Sequence, residues 1–230
     1  MKKFDFDLVI EQIRNSLAYF LIGVLFGSSV ASFLFLIDKK LIENILSAWF
    51  KRITFGLKYI GDYKLWFILN NLVALLMIIA ALILILDMFI RRRKFQIPYF
   101  RKYERENSMI TLYSLYMIPI GALVINGALI SLFLTYVLLS SGFATFSTAF
   151  VLMMPHGVNE FVALVLASSY GLAYIHLIEP FVLKRNWNDI KRTSRQFFFS
   201  QTTYVFIVLI LVLIVFGGFI EGMLSILIKG

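Results

Sequence analysis

The sequence predicts an all-α fold, a polytopic transmembrane helix bundle of about five spans with interfacial amphipathic helices, and three observations lead there. Of its 230 residues 60% are hydrophobic and only 15% charged, a balance that no water-soluble domain of this length could solvate. Several apolar stretches are long enough to cross a hydrocarbon core of about 30 Å as helices of roughly 20 residues, where a membrane barrel would show short alternating segments. The net charge of +9 does not point to nucleic acid, because the basic residues sit between the apolar runs, where phospholipid head groups answer them. One integral membrane domain over 1–230 is expected.

The elements follow in order. Up to Ser16 the chain mixes Lys2, Lys3 and Arg14 with Asp5, Asp7 and Glu11, while Phe6, Val9, Ile10, Ile13 and Leu17 recur at helical spacing, the pattern of an amphipathic lead-in helix. The first span is 17–37; Ser29-Val30-Ala31 mimics a signal-peptidase site, but the acidic start argues for a retained span. From Asp38 to Tyr63 the chain is too charged to span. Leu41, Ile42, Ile45, Leu46, Trp49, Phe50 and Ile53 nevertheless form one stripe opposite Glu43, Asn44, Lys51 and Lys58, so an interfacial helix is expected near 41–60.

The second span, 66–90, is bounded by Tyr63 and Trp66 at one end and by Arg91-Arg92-Arg93-Lys94 at the other. The third, 109–139, is longer than one bilayer needs, and Pro119 is expected to kink or tilt it. Residues 140–154 carry no charge and are rich in Phe, Ser and Thr, which fits an outer-surface helix or a segment dipping into the membrane. Pro155 opens the fourth span, 155–178. Lys184, Arg185, Lys191, Arg192 and Arg195 then make a basic loop before the fifth, 203–228. Placing the N-terminus in the cytoplasm gives that side fifteen of the 22 basic residues, so the expected arrangement in the cell membrane is N-terminus cytoplasmic, C-terminus outside.

Helix association in lipid depends on close backbone approach. Small residues recur four apart at Gly23, Gly27 and Ala31 and at Ala163, Ala167 and Gly171, with Gly127 and Ser131 in the third span and Gly218 and Gly222 in the fifth. These faces predict tight crossings, within the chain or, through Gly23 and Gly27, between two copies as a homo-oligomer.

An ionisable group at membrane depth costs about 2.5 to 3.5 kcal/mol on insertion scales, which singles out Asp87, Glu160 and Glu221. Asp87 lies one turn before Arg91, where an ion pair and head-group water suit it. Glu160 lies one turn after His156, on the same face. Glu221 sits about 10 Å from the outer end of the fifth span, Asn70 and Asn71 open the second on that side, and Asn126 lies deeper. The expectation is one polar cluster of His156, Glu160, Glu221, Asn70, Asn71 and Asn126, in which two carboxyl groups would share a proton. It serves either as a small cavity for a proton, ion or partner or, the favoured reading, as interhelical fastening worth about 1 kcal/mol per contact.

The chain has no cysteine, hence no disulfide and no thiol nucleophile. No metal is expected, since His156 and Glu160 supply only two ligands, His176 lies towards the other membrane face and no His-Glu-x-x-His motif occurs. Neither a glycine-rich phosphate loop nor a Gly-x-Ser-x-Gly elbow appears, so no cofactor and no enzymatic activity are expected.

The stretch Pro155 to Leu172, PHGVNEFVALVLASSYGL, resembles the signature of the stage II sporulation protein M family, a His-Gly pair followed by a Glu, alanines and Gly-Leu, matched at His156, Gly157, Glu160, Ala163, Gly171 and Leu172. That family also has Asn-Asn opening its second span, Asn-Gly in its third and a Glu in its last, similar to Asn70-Asn71, Asn126-Gly127 and Glu221 here, in the same order. Phe161-Val162 departs from the usual Leu-Pro, which implies a straighter fourth helix. The resemblance implies a multipass membrane protein that, in endospore formers, works with peptidoglycan-cleaving partners; many relatives occur where no spores form. Three functions stay open: a scaffold binding protein partners in the membrane or envelope, a transport component using the polar cluster, and a lipid-handling or membrane-shaping protein. Membrane lipids are partners in each, and nucleic acid in none.

Overall fold

A computed structural model describes residues 6–94 and 104–229, and every regular element among them is α-helical. The helices are α1 (Phe6–Ile37), α2 (Lys39–Ile60), α3 (Tyr63–Lys94), α4 (Glu104–Lys184), α5 (Trp187–Phe198) and α6 (Gln201–Lys229). Short polar side chains start four of them. Asp38 Oδ1 accepts from the Leu41 amide (3.3 Å) at α2 and Asp62 Oδ1 from the Leu65 amide (2.8 Å) at α3. Asn186 Oδ1 accepts from the Asp189 amide (3.3 Å) at α5 and Ser200 Oγ from the Thr203 amide (3.1 Å) at α6. Each answers an amide that the first helical turn leaves without a partner.

Two predicted boundaries move. The lead-in helix and the first span are one continuous α1, because residues 6–22 contain no glycine or proline to break the helix. The third and fourth spans belong to α4, 81 residues long and interrupted at Gly142, where φ is 80° and ψ 178°, a conformation essentially restricted to glycine. Its two arms run antiparallel: Arg185 Nε donates to Ser108 Oγ (3.4 Å), Tyr116 donates to Glu179 (2.9 Å), and Pro119 lies beside Gly171. Residues 143–154 are helical and largely exposed, with Phe143, Phe146 and Phe150 ring against ring along one side.

Five helical stretches are long and apolar enough to cross a membrane: 7–37, 64–87, 108–154, 157–184 and 201–221. The protein is accordingly a multipass membrane helix bundle. The arm of residues 157–184 is its axis: 78% of its most apolar stretch is buried, against 17% to 28% in the other four. Around it, α1 runs antiparallel through Ser16 beside Ser169 and Phe20 beside Phe161, while α3 runs parallel, with Asn71 at Glu160 and Ile78 and Leu82 at Gly171. α6 returns antiparallel, with Thr203 at Tyr170 and Glu221 at Glu160. The starts of α1 and α6 thus lie at one end of the bundle and the start of α3 at the other.

α1 and the first arm of α4 pack backbone to backbone. A Cβ on Gly23 would stand 2.8 Å from the Val124 Cα, one on Gly27 2.6 Å from the Ala128 Cα, and one on Gly127 2.5 Å from the Phe20 carbonyl oxygen. This face is filled within the chain, the first of the two arrangements that the spacing of Gly23 and Gly27 allows. Ala31, fully buried, continues it against Leu132, Ile42 and Leu46, and Ser131 is buried beside Gly27.

The segment Lys184–Arg195, expected as a loop, is mostly α5. Ile190, Thr193 and Phe197 form its buried side, and Lys191, Arg192 and Arg195 are exposed. Phe197 wedges between Tyr170 (4.4 Å between centroids) and Tyr174 (4.9 Å), and Tyr174 shares a 2.8 Å hydrogen bond with Ser194.

Candidate functional site

The polar groups that the sequence places at membrane depth meet where α3, the second arm of α4 and α6 come together. On α3, Asn71, Leu75, Ile78 and Leu82 share one face at helical spacing, as do Glu160, Ala163, Ala167 and Gly171 on α4 and Ile214, Gly218 and Glu221 on α6. The small residues on these faces bring the helices close. Ala163 and Ala167, 1% and 3% exposed, let Leu75, Ile78 and Ile214 pack over them. Gly218 lies against Ile68, where a Cβ would be 2.9 Å from the Ile68 amide nitrogen. With the backbones so near, side chains one turn further on are forced to meet.

They meet as a hydrogen-bonded chain. Asn70 Nδ2 donates to Asn71 Oδ1 (3.3 Å), Asn71 Nδ2 donates to Glu160 Oε1, and Glu160 and Glu221 are hydrogen-bonded to each other. All four residues are half-buried. The unit therefore joins three spans through two contacts between helices, Asn71 with Glu160 and Glu160 with Glu221.

Asn126 does not join. It is exposed, and its Nδ2 donates 2.7 Å to the Ala122 carbonyl of its own helix. The reason is angular: α1 packs on Val124, Gly127 and Ala128, which turns Asn126 away from the central arm. The side chain of His156 and the surroundings of Gly222 lie outside what the structure describes, as does the side chain of Arg91, the expected partner of Asp87. Among the described residues no group of three His, Asp or Glu side chains is placed to hold a metal ion.

The structure adds a second polar group that sequence reading passed over. Glu179, half-buried near the opposite end of the same arm, accepts from Tyr116 (2.9 Å) and has His176 Nδ1 at 3.9 Å. The i, i+3 spacing of His176 and Glu179 was the available signal. Between the two acidic groups the arm carries Ser169, bonded to Ser16 (2.9 Å), and Tyr170, bonded to Thr203 (2.9 Å). One helix thus presents polar contacts to each surrounding span at successive depths.

No family model, no curated protein and no solved structure matches this chain.

Proposed function

We propose that the protein is a non-enzymatic membrane scaffold, of the kind implied by the resemblance to the stage II sporulation protein M family, that binds a protein partner in the membrane or envelope. One observation carries the reading. Three of the four stretches that bear the resemblance, Asn70-Asn71, the segment around Glu160, and Glu221, lie far apart in sequence yet form a single hydrogen-bonded unit. Asn70, Asn71, Glu160 and Glu221 each meet a neighbour in the unit, the arrangement of a fastening between helices.

The small-residue faces are consumed inside the chain, so the partner docks on what the bundle leaves outward: the uncharged helix of residues 143–154 and the polar side of α2. The basic residues support an orientation with the start of α1 and all of α5 in the cytoplasm, which puts residues 143–154 and α2 on the outer side.

Site-specific photo-crosslinking in native membranes tests this. A photoreactive residue at Phe143 or Tyr59 should give one discrete protein adduct of defined mass, retained in Glu160→Gln and lost when Glu160→Leu loosens the bundle. Adducts to lipid alone, together with solute or proton flux through the purified protein in liposomes, would replace the scaffold with a transporter.

A further inference from the structure

We infer that the bundle sits inclined in the bilayer by roughly 30°, with α2 lying flat along the outer membrane surface as the helix that fixes the incline.

The central arm of α4 serves as a ruler. Phe20 packs on Phe161 and Asn71 bonds to Glu160, so Phe20 and Asn71 share a level. From that level α1 continues to Ile37 for about 25 Å, whereas α3 reaches back to Tyr63 for only about 12 Å. The outer end of α1 therefore stands about 13 Å beyond the start of α3. Its projecting turns are apolar and bare: Phe33 is 63% exposed, Leu36 85% and Ile37 66%. Water would not tolerate such a surface; hydrocarbon does.

The other end is displaced in the same sense. Ser16 is bonded to Ser169 and Gly171 lies against Ile78 and Leu82, so Ser16 is level with the middle of α3. Just past Ser16, α1 exposes Arg14, Glu11 and Asp7. At those levels α3 still exposes Ile83 and Leu84 and meets its first charge only at Asp87, about 9 Å deeper than Arg14. A span merely too long or too short would move the two boundaries in opposite directions. A same-sense shift of roughly 8 to 15 Å between helices on opposite sides of one arm, two packing distances or just under 20 Å apart, is what a membrane plane inclined by roughly 20 to 40° produces.

α2 follows the same slope: its 22 residues, about 33 Å of helix, lead from the end of α1 down to the start of α3 over that same descent of about 13 Å, which inclines it by about 25° to the plane perpendicular to the bundle. That slope lies along the inferred membrane surface. Ile42 and Leu46 are buried against the bundle, while Lys39, Lys40, Asn44, Lys51 and Lys58 face outward, where head groups meet them. The occupant of the bare turns of α1 is therefore lipid.

Because the chain has no cysteine, single nitroxide labels can be placed at exposed, non-contacting positions. In phosphatidylcholine–phosphatidylglycerol bilayers, oxygen and nickel-chelate accessibilities at Ile10→Cys, Leu84→Cys, Leu36→Cys and Leu65→Cys give their depths. The incline predicts Leu84 deeper than Ile10 by about 10 Å, and Leu36 and Leu65 at matching depth. Equal depth at Ile10 and Leu84, with Leu36 about 13 Å further out than Leu65, would overturn it and hand the bare turns of α1 to a protein partner.

Discussion

Replacing Gly27 by alanine puts a methyl group where α1 and the first arm of α4 already touch. That carbon would overlap the Ala128 carbonyl and the Ser131 hydroxyl and stand 2.6 Å from the Ala128 Cα, about 1 Å inside ordinary contact, so the backbones must separate. Overpacking of this kind costs about 1 to 3 kcal/mol, and a rigid backbone neighbour places it near the upper figure. Separation also weakens the 3.3 Å hydrogen bond from Thr135 to Ser28, worth about 0.6 kcal/mol in lipid. Alanine's better helix propensity returns about 1 kcal/mol. The balance is a loss of about 2 to 3 kcal/mol, a drop of roughly 30- to 150-fold in the folded population. Gly121→Ala, in the first arm of α4 with no atom within 4 Å of its Cβ, receives only the propensity gain and should be neutral or stabilising by up to about 1 kcal/mol. Steric-trap unfolding in bicelles measures both. Equal effects at the two sites would refute the reasoning, because they would mean that Gly27 does not face a backbone.

Phe197→Ala should cost about 3 to 5 kcal/mol, read in the same assay, since the ring is 1% exposed between Tyr170 and Tyr174. Tyr174→Phe removes only the hydrogen bond to Ser194 and should cost about 1 kcal/mol. Asn186→Ala takes away the cap of α5 and should cost about 1 kcal/mol, seen as faster amide exchange in the first turn after Asn186 with α6 unchanged. Gly142→Ala meets no atom but imposes a side chain on φ 80°, so its cost of about 1 to 3 kcal/mol is purely conformational; a neutral result would show that the break is made elsewhere. A double-mutant cycle on Asn71→Leu and Glu160→Leu should give a coupling of about 0.6 to 1.7 kcal/mol, and additivity would deny the contact.

The spans were legible because a bilayer sets a length that apolar runs either meet or miss. What the same runs conceal is direction. In water the apolar face of a helix marks its inner side, but in lipid both sides are apolar, so depth can be counted along a span while angle cannot. That is why Glu160 and Glu221 were placed together and Asn126 was wrongly joined to them: it lies on its span at the right order of depth but on the face that α1 leaves outward. α5 was legible and misread. Ile190, Thr193 and Phe197 at helical spacing behind the Asn186 cap spell an amphipathic helix, and the run of basic residues on its other side drew attention to a loop instead. The break at Gly142 had no partner residue to advertise it, since Ser140-Ser141 before it and Phe143 after it are compatible with continued helix.

The two arms of α4 also bear on how the protein enters the membrane. The second arm is the least exposed to lipid of the five spans and carries Glu160, Ser168, Ser169, His176 and Glu179, groups that an isolated helix would have to take into hydrocarbon without partners. It arrives, however, behind an arm and a bend that contain no charged residue between Ser108 and Glu160. Nothing ionised has to be dragged across ahead of it. The pair can cross as a preformed hairpin, with Tyr116 already at Glu179 and the serines of α1 waiting, so that the poorest span of the protein is delivered by its neighbour rather than inserted on its own merits.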